Sequence, residues 1–293
     1  MQGGAETHCT VQVRFLRMLD RSLGQLQSAS NDIASIKQEQ IDFVDRIQVG
    51  DTTLRAWQEA SEEVIEVAEF NLSALVEQPM QWPFRLSARQ EREAVRNETS
   101  DIVAVIQRSQ QAISGTIDLA AERVTPELFK LTILVSNGSR VQDIAPLSRE
   151  VALSHALVSA HTILEVSQGE FVSLIDPPEA CRDFASACRN VGTWPVLVGQ
   201  TGERDTMLSS PIILYDYPEI APESPGDLFD GAEIDEILSL RIMTMTDDEK
   251  REMRQADDRT RKILERTESM PTEQFMKLHG ALRGLRSTNG DHS

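Results

Sequence analysis

A chain of 293 residues with 40% hydrophobic and 26% charged side chains has material for one large or two ordinary domains and is too apolar for global disorder. Its 29 basic residues against 47 acidic ones give a formal charge of −18, a field that repels phosphate backbones and anionic lipid, and no basic patch offsets it. Nucleic-acid and membrane-surface partners are excluded on that ground, and no apolar run reaches the roughly 18 residues that a membrane span requires. The first ten residues lack a basic start and an apolar h-region, and Cys9, Cys181 and Cys188 are an odd number of thiols, so a cytoplasmic protein with reduced cysteines is expected.

In chain order, Val11 to Val49 is free of proline and accepts a heptad, with Leu16, Leu23 and Val44 at a and Leu19, Leu26, Ile33 and Ile47 at d. A second helix is expected after Gly50-Asp51, with Val64, Ile65, Leu72 and Leu75 inward, and a third over 87–123 with Val95, Ile102, Ile106, Ile113 and Ile117 as its stripe. Pro79 and Pro83 separate these two helices. The expectation for residues 1–125 is therefore a helical bundle or coiled coil, which would offer a route to homo-oligomers through the N-terminal helices.

The texture changes after Pro126. Leu128–Ser136 reads as a short β-branched strand ending at the Asn137-Gly138 turn, and Ser148–Ser159 as a helix. Ser167-Gln-Gly169 reads as a hairpin connection, residues 179–189 as a short helix, and Gly199–Asp205 as a second hairpin joining Pro195–Val198 to Met207–Tyr215. Thr246-Asp-Asp-Glu249 has the form of a capping box before helices that run toward the C-terminus, with Pro271 opening the last. The expected fold is α+β: the helical region, then an antiparallel-sheet α+β domain over 126–286 with C-terminal helices, then a flexible tail over 287–293.

The most unusual chemical feature is the acidic loop over 205–236, for no lysine or arginine stands between Arg204 and Arg241. A solvated loop and helix cap is its plainest meaning. The next is a surface that steers a basic partner, with Asp216, Tyr217, Glu223, Asp227, Phe229, Asp230 and Glu233 as the docking residues. Third is a hard cation such as Mg²⁺ or Ca²⁺ held by Asp216, Asp227, Asp230 and Glu233, which would make the chain a metal-dependent hydrolase. The spacing Cys181-x6-Cys188 is not a usual zinc spacing, so core packing is expected of both thiols. His155 has no evident acid partner, His161 shares a strand face with Ile163 and Glu165 and is expected to make a structural hydrogen bond, and no G-x-S-x-G, P-loop, H-E-x-x-H or G-x-G-x-x-G motif occurs.

Residues 157–283 resemble a family of bacterial proteins associated with the gene neighbourhoods of nickel–iron uptake hydrogenases. The likeness is carried by Ala160-His-Thr-Ile-Leu164, Phe171–Glu179, Ala187–Gly199, Leu208–Pro218, Ala221–Gly231 and Glu233–Leu238. It implies an accessory or assembly role beside a redox enzyme, with a hydrogenase subunit or maturation factor as partner, and carries over no catalytic residue. Together with the absence of a complete catalytic motif, it favours a non-catalytic interaction protein over an enzyme and leaves any cofactor unassigned.

Overall fold

The computed structural model describes residues 1–50, 52–139, 148–219, 242, 244–254 and 258–269. Its strands are β1 (Gln2–Ser30), β2 (Ile41–Val44), β3 (Arg46–Val49), β4 (Thr52–Arg55), β5 (Trp57–Asn71), β6 (Met80–Leu86), β7 (Arg89–Arg96), β8 (Ile102–Gln110), β9 (Ile113–Arg123), β10 (Phe129–Asn137), β11 (Val158–Glu170), β12 (Trp194–Leu197) and β13 (Thr206–Ser210). Short helices α1 (Leu72–Glu77), α2 (Arg149–Ser154) and α3 (Arg182–Ser186) interrupt them. The protein is thus mostly antiparallel β, and the expected α+β fold with an N-terminal helical bundle or coiled coil is overturned. With it goes the N-terminal helical route to homo-oligomers.

The physical reason lies in β1. Its odd residues turn inward, and Cys9, Val11, Val13 and Phe15 form an unbroken apolar row with the strict alternation of a half-buried strand. The row then continues through Arg17 and Arg21, while Leu16 on the opposite face stays exposed. Charge inside and leucine outside hide the period of two, and a heptad template collects leucines from both faces of the strand. In β5 the cause is different. Glu59, Glu62, Glu63, Glu66 and Glu69 favour a helix locally, and pairing with β1 overrides that weak preference.

Strands usually span about 3–10 residues, so a strand as long as β1 can serve two cores. Val11 and Gln12 pair with both β5 and β11, Asp20 and Arg21 with both β5 and β8, and Leu23 with both β2 and β8. One edge of β1 therefore carries β11 and then β8, and the other carries β5 and then β2. Beyond these, β13 joins β11, β12 joins β13, and β7 joins β8. A separate sheet has the order β10-β9-β6.

The larger core gathers the apolar row of β1, Ile65 and Val67 of β5, Leu72 and Leu75 of α1, and Ile113, Ile117 and Leu119 of β9. A smaller one holds Ile36, Ile41, Ile102 and Val105. Two corners link the sheets. Leu86 faces Ile113 and Arg89 faces Gln110, so one register runs through the bends at Ser87-Ala88 and Gln111-Ala112. Arg17 closes that corner, its Nη2 donating to the Ser87 and Gln111 carbonyls at 2.6 Å each and its Nη1 to Glu63 at 3.3 Å.

Other expectations divide. The strand over 128–136, the hairpin across 199–205 and the helix start at Ser148 are all present. Ser167-Gln-Gly169 is no hairpin: β11 runs through it beside β1, and a Cβ on Gly169 would stand 2.8 Å from the Gln2 carbonyl oxygen. The glycine answers a close approach of two backbones, a demand that looks like a turn signal in sequence.

The chain divides into two compact units, Met1–Gly50 with Arg55–Pro218 and Asp51–Leu54 with Glu219–Ser293. The described part of the second contains helices Asp247–Arg254 and Asp258–Ser269. Its capping box forms as expected: the Thr246 N–H donates to Glu249 at 2.8 Å and the Glu249 N–H to the Thr246 hydroxyl at 3.3 Å. The helix expected from Pro271 and the tail over 287–293 lie outside the described residues. Among the described residues no helix is long and apolar enough to cross a membrane.

Candidate interaction surface

Strand β12 ends its sheet, and an open strand edge is a template for further pairing unless it is guarded. Pro195 has no N–H to offer. Leu197 turns both backbone groups outward, and both are occupied: its N–H donates to the Asp216 carboxylate at 2.8 Å and its carbonyl accepts from the Tyr217 N–H at 2.7 Å. The other Asp216 oxygen accepts from the Ser173 hydroxyl at 2.5 Å, and the Tyr217 hydroxyl donates to the Glu203 carbonyl at 2.9 Å. Residues 216–217 thus strap the edge, and Tyr217 takes a left-handed backbone (φ 58°) to do so.

The open end of the β12–β13 hairpin is different in character. Trp194 pairs with Ser210, which places the residues before Trp194 beside those after Ser210. In the segments that flank the pair, Val191 is 76%, Ile213 74% and Tyr215 81% exposed, and Trp194 and Ile212 are exposed as well, Tyr215 leading into the strap at Asp216. Large apolar side chains left exposed in the short segments beside one strand pair are the candidates for an interaction surface. The turn at the other end of the hairpin uses Gly199 and Gly202 at φ 107° and 101°, and Glu203 accepts from the Gln200 N–H at 2.8 Å.

Of the residues singled out for partner or metal binding, Asp216 and Tyr217 are committed to the strap just described. Glu223, Asp227, Phe229, Asp230 and Glu233 lie outside the described residues. Among the described residues no three of His, Cys, Asp and Glu are grouped to hold a metal ion. His155 and His161 make local bonds, Nδ1 of the first lying 3.0 Å from the Val151 carbonyl and Nδ1 of the second 2.8 Å from that of Ser159.

A cavity of about 210 Å³ was not foreseen. Leu128, Phe129, Val172 and Phe184 line it together with Cys181 and Cys188. The seven-residue cysteine spacing was the available signal, since it sets both thiols on one side of a helical turn. Cys181 is buried against Leu128 and Val172, as core packing requires, while Cys188 is half-exposed. Cys9 lies deeper, and burial pushes its thiol up to about 11 against a smaller pull from the Met1 amine. That amine is in turn held below its ordinary range by burial, with the three thiols opposing.

No family model matches the chain, and no curated protein matches it.

Proposed function

We propose that this chain is a non-catalytic interaction or assembly protein of the cytoplasm, and that its partner docks at the open end of the β12–β13 hairpin. The observation that carries this reading is the exposure of Val191, Trp194, Ile212, Ile213 and Tyr215 in and beside a strand pair whose edge is strapped at Leu197. Such a surface suits side-chain docking and not strand addition. The acidic loop over 205–236 overlaps these residues in sequence, and a partner that carries both apolar and basic side chains is the complement. The resemblance to proteins encoded near nickel–iron hydrogenases names the class: a hydrogenase subunit or a maturation factor.

The test is retention of purified hydrogenase subunits and maturation proteins on the immobilised full chain, compared with an Ile213→Asp/Tyr215→Asp variant. Loss of at least about tenfold in affinity is expected, since aromatic anchors of this kind are worth about 2 kcal/mol or more. An Asp227→Asn/Asp230→Asn/Glu233→Gln variant should mainly slow association and flatten its salt dependence. Equal retention by the wild type and the Ile213→Asp/Tyr215→Asp variant would overturn the surface, and retention of none of these proteins would overturn the hydrogenase assignment.

A further inference from the structure

The helical turn over 179–188 is pinned at its start. Cys181 sits in a small core with Leu128 and Val172, and its N–H donates to the Pro178 carbonyl at 2.8 Å. From there α3 carries the chain on to Cys188, whose N–H donates to the Ala185 carbonyl at 3.0 Å. The side chains that this stretch contributes to the cavity lining are mostly short, Ala185, Ala187 and Cys188, and Phe184 is left exposed. Single methyl groups fill little of the space beside the end of the β9–β10 hairpin, and a cavity of about 210 Å³ remains there.

The lining asks for little hydrogen bonding. The N–H groups of Val124, Phe129 and Cys181 already donate to the carbonyls of Leu128, Met1 and Pro178. Its two charged side chains, Glu122 and Lys130, belong to residues opposite one another in the β9–β10 register, so their charges offset. What remains is apolar or polarisable: the Phe129 and Phe184 rings, the Cys181 and Cys188 thiols, and aliphatic side chains. Aromatic rings pack well on other rings and on sulfur. Atoms around an unfilled apolar space forgo contacts that a fitting molecule restores.

We infer that this cavity is a binding site for a small uncharged aromatic molecule, one ring with a short alkyl substituent. Volume sets the size. An apolar cavity of about 150 Å³ stays dry and takes up benzene, so about 210 Å³ leaves room for a few more carbons. Charge sets the class: a carboxylate or an ammonium would give up its water and meet an already offset pair in return. Because Cys188 is half-exposed and lines the cavity, an occupant hides that thiol from solvent. The site shares no residue with the docking surface proposed above, so either reading can fail without the other.

Isothermal titration calorimetry of the full chain with ethylbenzene is the test, with benzoate as a charged comparator. One molecule per chain is expected, with a Kd below about 1 mM, modest for a ligand of about eight heavy atoms. Benzoate should bind at least about tenfold more weakly, and phenol more tightly than cyclohexanol of the same size. An Ala185→Leu/Ala187→Leu variant fills the space from two positions that are not buried. It should lose at least about tenfold in ethylbenzene affinity with an unchanged circular dichroism spectrum. If that variant folds poorly, the wild-type chain still decides: saturating ethylbenzene should slow modification of Cys188 by a thiol reagent, and benzoate should not. Ethylbenzene that fails to saturate or to protect Cys188, benzoate that binds equally well, or a folded variant that binds like wild type overturns the site. Cyclohexanol binding as tightly as phenol overturns the aromatic class.

Discussion

The inward face of β1 presents two regions of equal burial and opposite chemistry. Cys9, Val11, Val13 and Phe15 fill the larger core by shape, whereas Arg17, as fully buried as Phe15, holds two sheet corners by hydrogen bonds and faces Glu63. Arg21 repeats the pattern one turn of the pleat further on, donating to the Arg55 carbonyl and lying 3.4 Å from Glu59. The difference teaches where a sandwich of bent strands needs polarity inside. Where strands run straight, their backbone groups satisfy one another, and apolar packing suffices. At a bend the carbonyls of Ser87 and Gln111 leave the ladder inside the protein, and a guanidinium fork reaches both.

Substitutions that exchange the two chemistries should break this contrast most severely. Arg17→Ala leaves half-buried Glu63 with Arg89 at 3.8 Å as its remaining cation and takes the donor from two carbonyls, and a loss of roughly 2–4 kcal/mol is expected in urea unfolding. Arg17→Lys keeps the charge but loses the fork, so about 1.5–3 kcal/mol should go. If the lysine variant matched wild type, charge alone would account for the corner. Phe15→Leu, which keeps an apolar side chain of similar volume, should cost less than about 1.5 kcal/mol.

A gentler probe is pH. Burial raises the Cys9 thiol in the folded protein from about 9 to about 11. The unfolded chain then ionises first as pH rises, so stability contributed by the neutral thiol is complete below pH 9 and is lost between pH 9 and 11. Cys9→Ala should flatten that part of the stability profile, and in native protein at pH 8 a thiol reagent should modify half-exposed Cys188 well before Cys9 or Cys181. The smallest effect is expected at the surface. Arg254 donates to Glu268 at 2.8 Å and holds that carboxyl below its usual range, yet Glu268→Gln should leave the thermal midpoint unchanged, because exposed pairs gain little over water.

These contrasts also explain what was legible. Strand β10 and the Thr246 capping box follow from a few neighbouring residues and stand as read, and the hairpin across 199–205 forms with its second strand ending at Ser210, short of the expected Tyr215. The helical reading of 1–125 failed because its signals were non-local. Arg17 is polar in sequence and buried in the fold only because Ser87 and Gln111, both far along the chain, turn their carbonyls toward it. Gly169 looked like a turn and proved to be a close approach to Gln2. Of the candidate site, Asp216 and Tyr217 stood out in sequence, while their use as an edge strap did not, since the partners Ser173 and Leu197 are distant in sequence.

The amino-acid sequence by itself determined the acidic charge, the odd number of cysteines, the local turns and caps, and the gap in basic residues between Arg204 and Arg241. Those are properties of composition or of residues within one turn of one another. Tertiary structure decided that the first half is sheet, that two arginines belong inside, and that Cys181 and Cys188 line one cavity. Such outcomes depend on which distant backbone groups need a partner, a question settled only when the strands are paired.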